Sequence, residues 1–316
     1  MRCVILDDYP GVATSYADWS VLEGLETQAL REHLGDEDAV AAALSGAEVV
    51  VAMRERTPFP ASLLQRLPDL RLLVTTGMRN ASIDLDAARA ADVVVCGTSS
   101  LPTPPVELTW ALVLGLARHL VPEVDAMRRG GPWQSTVGAD LAGATLGVVG
   151  LGKLGTRVAA VGTAFGMDVL AWSPHLTDER ASAAGVRRAG ALTDLLAVAD
   201  VVSLHLVLSE STRGLLGERE LAAMRPSAFL VNTSRAGLVD TDALATALQQ
   251  GRIAGAGLDV FDEEPLPAGH PLRTMPGVLA TPHLGYVTEG NLRTHYTEAL
   301  ADVVAWRSGE PVRVLT

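Results

Sequence analysis

The chain has 316 residues, of which 48% are hydrophobic and 20% are charged, a composition typical of a folded globular protein and not of a mainly disordered chain. This length is large for one hydrophobic core, so we predict two domains. Acidic residues outnumber basic ones by 37 to 25, giving a formal net charge of −12, which disfavours general binding to nucleic acid or to an anionic membrane.

Cysteine content and hydropathy narrow the class of protein further. Cys3 and Cys96 are the only cysteines; they are too few for a disulfide framework and lack the spacing of a zinc site, so we predict no metal. The opening MRCVILDDYP lacks the apolar length and the cleavage site of a signal peptide. No apolar run approaches the ~18 residues of a membrane span. We expect a cytoplasmic protein without membrane attachment.

The first hundred residues alternate buried strands with helices. Apolar runs predict strands at Arg2–Asp7, Ala47–Met53, Leu70–Thr75 and Val93–Cys96. Amphipathic or alanine-rich segments between them, such as Glu37–Leu44 and Asp84–Ala91, predict helices. Repeated alternation of this kind favours right-handed crossovers and a parallel sheet.

A long helix is predicted next, from Pro105 to about Arg128, because a proline pair suits a helix start. The glycine- and proline-containing passage GGPWQSTVGADLAG that follows is typical of a loop or an arm.

A second series then begins, with six strand candidates: Thr145–Gly150, Met167–Trp172, Asp200–His205, Ala228–Asn232, Gly255–Val260 and Val278–Thr281. Six parallel strands with interleaved helices are the content of a dinucleotide-binding sheet. A final helix, Glu289–Trp306, comes after this series is complete. We expect it to return to the first domain, which would then be discontinuous in sequence.

The clearest motif is Gly150-Leu151-Gly152-Lys153-Leu154-Gly155, which follows the apolar strand TLGVVG and opens a helix. Its glycines permit a tight turn, close approach of a pyrophosphate and close packing of helix on sheet. Backbone N–H groups and the helix dipole would hold the phosphates. The motif predicts that the chain binds NAD or NADP.

The choice between these cofactors is open. The second strand of a dinucleotide-binding sheet often ends in an acid that binds the adenosine ribose and repels a 2′-phosphate. Here Ser173 stands at that strand end, and no arginine follows immediately. We expect weak discrimination, and a strong preference would point to another residue such as Arg180.

Three polar motifs end later strands, where they would face the cofactor crevice. They are NTSRAG, which contains Arg235; GLDVFDEEPL, which contains Asp259 and Glu264; and TPHLG, which contains His283. The planar guanidinium of Arg235 suits a carboxylate, and histidine is the residue type most often used for acid–base catalysis, which makes His283 a candidate.

With these motifs in this order, the chain resembles the D-isomer-specific 2-hydroxyacid dehydrogenase family over nearly its whole length. The resemblance implies a Rossmann-type doubly wound parallel sheet inserted into a flavodoxin-like α/β substrate domain, with catalysis in the cleft between them. The substrate domain would comprise residues 1–101 and 285–316, and the dinucleotide-binding domain residues 102–284. Members of the family are mostly homodimers, joined through the long helix and the following arm.

The resemblance also implies roles for individual residues. His283 would be the general acid–base, Glu264 its orienting partner, and Arg235 the carboxylate clamp. Asp259 would bind the nicotinamide carboxamide. The expected cofactor-binding residues are Gly150, Gly152, Lys153, Leu154, Gly155, Ser173, His205, Thr233 and Asp259.

The substrate side departs from the common family pattern. The segment TTGMRNASID carries Arg79 where a small residue is commoner, and Tyr286 occupies a position that is usually small. The expected substrate-binding residues are Arg54, Thr76, Gly77, Met78, Arg79, Trp110 and Tyr286. If Arg54 and Arg79 both face the substrate, they favour a polar or anionic distal end.

The sequence therefore predicts an NAD(P)-dependent oxidoreductase that interconverts a small 2-oxo acid and a D-2-hydroxy acid. Two alternatives stay open. One is a nucleotide-sensing interaction protein, similar to a corepressor, on the same scaffold. The other is an enzyme similar to phosphite dehydrogenase. A formate dehydrogenase is disfavoured, because those enzymes pair the histidine with glutamine and this chain has Glu264.

Overall fold

The computed structural model describes the whole chain, from Met1 to Thr316. The chain forms two compact units. Unit 1 comprises Met1–Leu101 and Tyr286–Thr316, and unit 2 comprises Pro102–Gly285. No helix combines the length and the apolarity that crossing a membrane requires.

Unit 1 is built on a five-stranded parallel sheet in the order β2-β1-β3-β4-β5. This order is that of flavodoxin-like folds and confirms the predicted class. The strands are β1 (Arg2–Ile5), β2 (Glu26–Ala29), β3 (Val49–Ala52), β4 (Leu72–Thr75) and β5 (Val94–Gly97). The helices are α1 (Ala13–Tyr16), α2 (Glu37–Ala43), α3 (Ala61–Gln65), α4 (Leu85–Ala90) and α12 (Glu289–Arg307).

Both faces of this sheet are buried, as expected of a parallel sheet covered by crossover helices. On one face Val4 and Val50 pack with apolar side chains of α2, α3 and α4. The other face is covered by α1 and α12, and Tyr296 and Val303 of α12 are fully buried there. The last long helix of the chain therefore belongs to the core of unit 1.

Unit 2 is built on a seven-stranded parallel sheet in the order β12-β11-β10-β9-β6-β7-β8. The strand order reverses beside β6, which is the topological switch of a doubly wound dinucleotide-binding sheet. The strands are β6 (Thr145–Val149), β7 (Asp168–Trp172), β8 (Arg187–Arg188), β9 (Val201–Leu204), β10 (Phe229–Asn232), β11 (Gly255–Leu258) and β12 (Val278–Ala280). The helices are α5 (Pro104–Ala117), α6 (Leu120–Arg128), α7 (Lys153–Ala164), α8 (Asp178–Ala183), α9 (Leu192–Val198), α10 (Glu218–Ala223) and α11 (Thr241–Gln249).

The prediction of one continuous helix from Pro105 to Arg128 is wrong. His119 adopts a left-handed conformation with φ of +49° and separates α5 from α6. The break falls where burial ends: Leu112 and Leu116 of α5 are buried, whereas Leu120 of α6 is exposed. The sequence does carry a signal of the break: Pro122 stands three residues after His119, in the first turn of α6, where proline is tolerated, whereas inside a continuous helix it would remove a hydrogen bond and clash with the preceding turn.

Two short edge strands were also not predicted. In β2, Glu26 and Gln28 are exposed, so no apolar run marks the strand. The strand β8 consists of Arg187 and Arg188, both exposed. An edge strand can carry exposed side chains on both of its faces, so hydropathy alone does not reveal it.

Candidate active site

The glycine loop joins β6 to α7 at the carboxyl edge of the unit 2 sheet. Gly150 has φ of +106°, and a Cβ there would lie 2.6 Å from the carbonyl carbon of His205. A Cβ on Gly155 would lie 2.0 Å from the Gly150 oxygen. No side chain caps the start of the 12-residue helix α7, and no atom lies within 4 Å of the position of a Cβ on Gly152. The loop thus offers an open helix N-terminus, a fit for a pyrophosphate.

Lys153, the residue after Gly152, is exposed at the first position of α7. It is the only lysine of the chain. Leu154, the next residue of the loop, packs partly against the core cluster of α5 and β6. The side chain of Lys153 is therefore exposed to solvent, and that of Leu154 packs toward the core.

Ser173 lies directly after β7, beside the glycine loop. Its Oγ accepts a hydrogen bond of 3.0 Å from the backbone N–H of Leu151. The serine therefore braces the loop as well as marking the strand end. The position holds no carboxylate, in agreement with the sequence.

His205 and Thr233 end the next two strands. Removal from water lowers the pKa of His205 to about 4, so the ring is neutral at working pH. Its Nε2 lies 2.8 Å from Ser203 Oγ, and its backbone N–H bonds Val149. The hydroxyl of Thr233 lies 2.7 Å from that of Thr109 in α5. Both residues lie at the carboxyl edge of the sheet, which also carries the glycine loop, and neither side chain has acid–base character there.

His283 and Glu264 form a close pair. His283 Nδ1 lies 2.6 Å from Glu264 Oε2, and both side chains are less than one-fifth exposed. The other carboxylate oxygen, Oε1, accepts a bond of 2.9 Å from the Phe261 N–H. Because an ionised carboxylate can only accept, this pairing assigns the hydrogen to Nδ1.

Asp259 holds the loop that contains His283. This fully buried side chain accepts bonds of 2.6 Å from Thr281 Oγ1, 2.7 Å from the Leu284 N–H and 2.8 Å from the Gly285 N–H. Burial raises the pKa of Asp259 and these donors oppose the rise. The sequence assigned Asp259 to the cofactor; the structure adds a positioning role for it.

Arg235 follows β10 on a loop that Asn232 holds. Asn232 is buried; its Nδ2 donates to the Arg235 carbonyl at 2.9 Å, and its Oδ1 accepts from the Ser234 N–H at 3.0 Å. The arginine Nη1 donates to the Ser234 carbonyl at 2.8 Å. Sequence analysis missed the role of Asn232, although an asparagine directly before a loop is a common turn signal.

The loops of Arg235, Asp259 and His283 follow β10, β11 and β12, which are neighbours in the sheet. Parallel strands place their carboxyl ends at one edge. The structure therefore brings the three motifs together in unit 2. It contains no cluster of three or more His, Cys, Asp or Glu side chains suited to a metal ion.

Trp110 is the one predicted substrate residue that lies in unit 2. It is 5% exposed and packs in the core, with its ring centroid 5.0 Å from that of Phe165. We expected Trp110 to line the substrate pocket. Packing against α7 and β6 accounts for this side chain instead.

The predicted substrate residues of unit 1 lie at the ends of β3 and β4. Thr76 is fully buried, and its Oγ1 accepts a bond of 3.0 Å from the Arg54 N–H. Gly77 has φ of +105°, and a Cβ on it would lie 2.9 Å from Arg54 Nη1. The guanidinium of Arg54 thus lies directly against the Gly77 backbone. Met78 is 45% exposed.

A second arginine of unit 1, Arg56, approaches Tyr286, which is 8% exposed. The Nε of Arg56 donates to Tyr286 Oη at 2.6 Å, and its guanidinium lies 4.9 Å from the Tyr9 ring centroid. Arg54 lies 5.9 Å from the Tyr286 ring centroid. Burial raises the pKa of Tyr286 to about 12, so its hydroxyl keeps its proton.

Arg79 lies apart from this group. Its side chain is exposed and makes no ion pair. The arginine that joins Arg54 beside the Tyr286 ring is Arg56 and not Arg79. Nothing in the local sequence favours one arginine over the other.

A doubly wound parallel sheet, a glycine loop suited to a pyrophosphate, and a histidine–glutamate pair with an arginine at the same sheet edge define a class: the dinucleotide-dependent oxidoreductases. The profile described as D-isomer specific 2-hydroxyacid dehydrogenase, NAD binding domain, matches residues 110–285. The chain belongs to this family, whose members oxidise the CH–OH group of 2-hydroxy acids.

Three relatives illustrate the similarity. The chain is 38% identical over 258 residues to the glyoxylate reductase of Aeropyrum pernix, covering 78% of this chain and 76% of that one. It is 40% identical over 257 residues to the (S)-sulfolactate dehydrogenase of Chromohalobacter salexigens, covering 79% and 82%. A solved phosphoglycerate oxidoreductase from Vibrio cholerae o395 superimposes with a TM-score of 0.93 at 36% identity, covering 98% and 99%.

Proposed function

We propose that the chain reduces a small 2-oxo acid to the D-2-hydroxy acid, with His283 as the general acid–base and Arg235 as the carboxylate clamp. The observation that carries the proposal is the 2.6 Å contact between His283 Nδ1 and Glu264 Oε2. It lies at the sheet edge that also carries Arg235 and the glycine loop.

The fit of the glycine loop supports NAD(P)H as the cofactor. Gly150 and Gly155 leave no room for a Cβ, while the space beside Gly152 is open. The backbone of Gly152 and Lys153 would hold the pyrophosphate, with the lysine ammonium adding a charge. When bound, NAD(P)H supplies the hydride that adds to the carbonyl carbon.

His283 then supplies the proton that completes the reduction. Glu264 fixes the ring through Nδ1–H, so Nε2 donates its proton to the substrate carbonyl oxygen. In the oxidative direction the same nitrogen accepts the hydroxyl proton. Asp259 holds the backbone of Leu284 and Gly285 and so fixes the position from which the ring acts.

Arg235 binds the substrate carboxylate in this proposal. A guanidinium forms two parallel hydrogen bonds to a carboxylate, which sets both charge and orientation. Asn232 fixes the backbone on both sides of the Arg235 peptide. Orientation of the carboxylate positions the adjacent carbonyl carbon for hydride addition.

Unit 1 supports a preference for substrates with a polar or anionic distal end. Arg54 and Arg56 both lie beside Tyr286, and Arg56 is half-buried. A cationic group of this kind favours an anion or a polar partner. The name of the sulfolactate dehydrogenase relative, whose substrate carries a sulfonate, agrees with that preference. Arg79 has no part in it.

The experiment is a panel of 2-oxo acids assayed by NADH and NADPH oxidation. Oxaloacetate is compared with 2-oxobutyrate, and hydroxypyruvate with pyruvate. We expect a higher kcat/KM for the polar member of each pair. Equal or better turnover of the apolar member in both pairs would contradict the distal preference. Phosphite with NAD(P)⁺ tests the alternative oxidation, and cofactor binding without turnover of any acid would favour a sensing role.

We further propose a homodimer formed through α6 and the following arm. Leu120, Val121 and Val124 of α6 are exposed, as are Trp133 and Val137 of the arm, the last two at 82% and 92%. An exposed apolar surface of this kind favours association. Analytical ultracentrifugation of the protein and of Trp133→Ser tests it. A monomeric protein at micromolar concentration would contradict the proposal.

A further inference from the structure

Three arginines follow β7, and their electrostatic surroundings differ. Arg187 pairs with Asp168. Arg188 Nε lies 2.6 Å from Asp178 Oδ1. The guanidinium of Arg180, in α8, contacts the Leu151 carbonyl, 3.5 Å from Nη2, and makes no ion pair. Arg180 is therefore the one arginine of the three that is not paired with a carboxylate.

The contact of Arg180 places it against the glycine loop. Leu151 lies between Gly150 and Gly152, and its N–H donates to Ser173 Oγ at 3.0 Å. Ser173 and Arg180 therefore approach the same loop residue, one at its N–H and the other at its carbonyl. The Ser173 hydroxyl still has its own hydrogen to donate.

The acids nearest to Arg180 in sequence are held by other donors. Asp178 is paired with Arg188, which lowers the pKa of Asp178. The backbone N–H of Glu179 and the Thr177 hydroxyl lower the pKa of Glu179. Both are ionised at neutral pH, but neither forms an ion pair with Arg180. The guanidinium is thus available to an external anion.

In a dinucleotide-binding sheet the adenosine ribose lies where β7 ends, next to the glycine loop. The anion that distinguishes NADP from NAD at this place is the 2′-phosphate, which carries nearly two negative charges at neutral pH. We propose that Arg180, with the Ser173 hydroxyl, binds this phosphate and makes NADP(H) the preferred cofactor. The inference deepens the proposed function and rests on dinucleotide binding by unit 2.

The test measures binding without turnover. Calorimetry compares adenosine 2′,5′-bisphosphate with 5′-AMP, which differ at this position by the phosphate alone. The variant is Arg180→Gln. Arg187→Gln is the matched control, because it removes the same charge from a strand that pairs with β7 but does not contact the glycine loop.

The protein is expected to bind the bisphosphate at least about tenfold more tightly than 5′-AMP. Arg180→Gln should bring this ratio close to one, whereas Arg187→Gln should leave it largely unchanged. Ser173→Asp should lower it through like-charge repulsion. Since Arg180 is exposed, the ratio should also fall as salt concentration rises.

A ratio near one in the unaltered protein, or an unchanged ratio in Arg180→Gln, would overturn the assignment. The kcat/KM values for NADPH and NADH then separate the two proposals. Turnover of a 2-oxo acid without preference for NADPH leaves the proposed function intact and removes Arg180 from it. A high binding ratio in a protein that turns over no 2-oxo acid supports the phosphate site and contradicts the activity.

Discussion

Two buried polar side chains, Asn232 and Asp259, hold the loops that carry Arg235 and His283. Asn232 bonds backbone groups of its own loop, and Asp259, which follows β11, bonds backbone groups of the neighbouring loop after β12; both replace hydrogen bonds that water would otherwise provide. A backbone clamped in this way fixes the position of the functional side chain to a fraction of an ångström. Catalytic rates depend on positioning of that order.

Replacement of His283 by alanine should remove the proton donor and leave the cofactor site unaltered. Loss of a general acid typically lowers kcat by about 10²–10⁴-fold. The glycine loop does not depend on His283, so NADPH affinity, measured by fluorescence titration, should change little. Near-normal turnover in a folded His283→Ala protein would exclude this residue from the mechanism.

Replacement of Arg235 by lysine tests geometry separately from charge. Lysine keeps the positive charge but lacks the planar pair of donors. We expect a loss of about tenfold or more in kcat/KM for the 2-oxo acid. Arg213 is the matched control as Arg213→Lys: it has no proposed role, and its Nη1 lies 3.2 Å from the position of a Cβ on Gly237, two residues after Arg235. A loss below about threefold would contradict bidentate binding of the carboxylate.

At the scale of elements, α12 anchors the segment that ends the first part of unit 1. Asn291, His295 and Glu298 lie on one helix face and bond Leu101 N–H, Ser100 Oγ and Ser99 N–H in turn. Burial lowers the pKa of His295 to about 4, so this contact involves a neutral ring. Asn291 also donates to the Tyr286 carbonyl at 2.8 Å.

Asn291→Ala should therefore destabilise unit 1. The fully buried amide satisfies two backbone groups that are 185 positions apart in the chain (286 minus 101). Leaving such groups unsatisfied costs about 1–3 kcal/mol. Urea denaturation measures the loss, and Arg293→Ala, which removes an exposed pair with Glu289 and a contact of the guanidinium with the Tyr16 ring, should cost less than about 1 kcal/mol. Equal effects of the two variants would contradict the role of Asn291.

At the scale of the whole molecule, one buried acid links stability to pH. Asp302 is fully buried, with Oδ1 2.9 Å from Arg313 Nη2. Burial raises its pKa from 3.8 to about 7, and Arg313 opposes this rise only in part. The folded state therefore holds the proton more tightly than the unfolded chain. The contribution of Asp302 to stability is greatest below about pH 4 and falls as pH rises to about 7.

Asp302→Asn should remove this part of the pH dependence. Urea denaturation of both proteins at pH 5 and pH 8 gives the comparison. We subtract the free energy of unfolding of the asparagine variant from that of the unaltered protein at each pH. This difference should be smaller at pH 8 than at pH 5. Parallel pH profiles for the two proteins would show that Asp302 ionises equally in the folded and unfolded states.

The contacts of the substrate side were beyond prediction from sequence. Arg56 reaches Tyr286 across 230 positions of the chain, and Trp110 packs in a core cluster with apolar side chains of β6 and α7. Each outcome depends on which distant segment packs nearby, and residue type does not encode that choice.

The amino-acid sequence by itself determined the two parallel sheets, the glycine loop and the motif residues Arg235, Glu264 and His283. These features are local: apolar runs form buried strands, glycines allow a turn that a Cβ would block, and parallel strands end at a common edge. Only the tertiary structure decided the His283–Glu264 contact, the clamps at Asn232 and Asp259, and the place of Arg180 beside Leu151. They were decided there because a hydrogen bond or ion pair forms only when folding brings distant segments within about 3 Å.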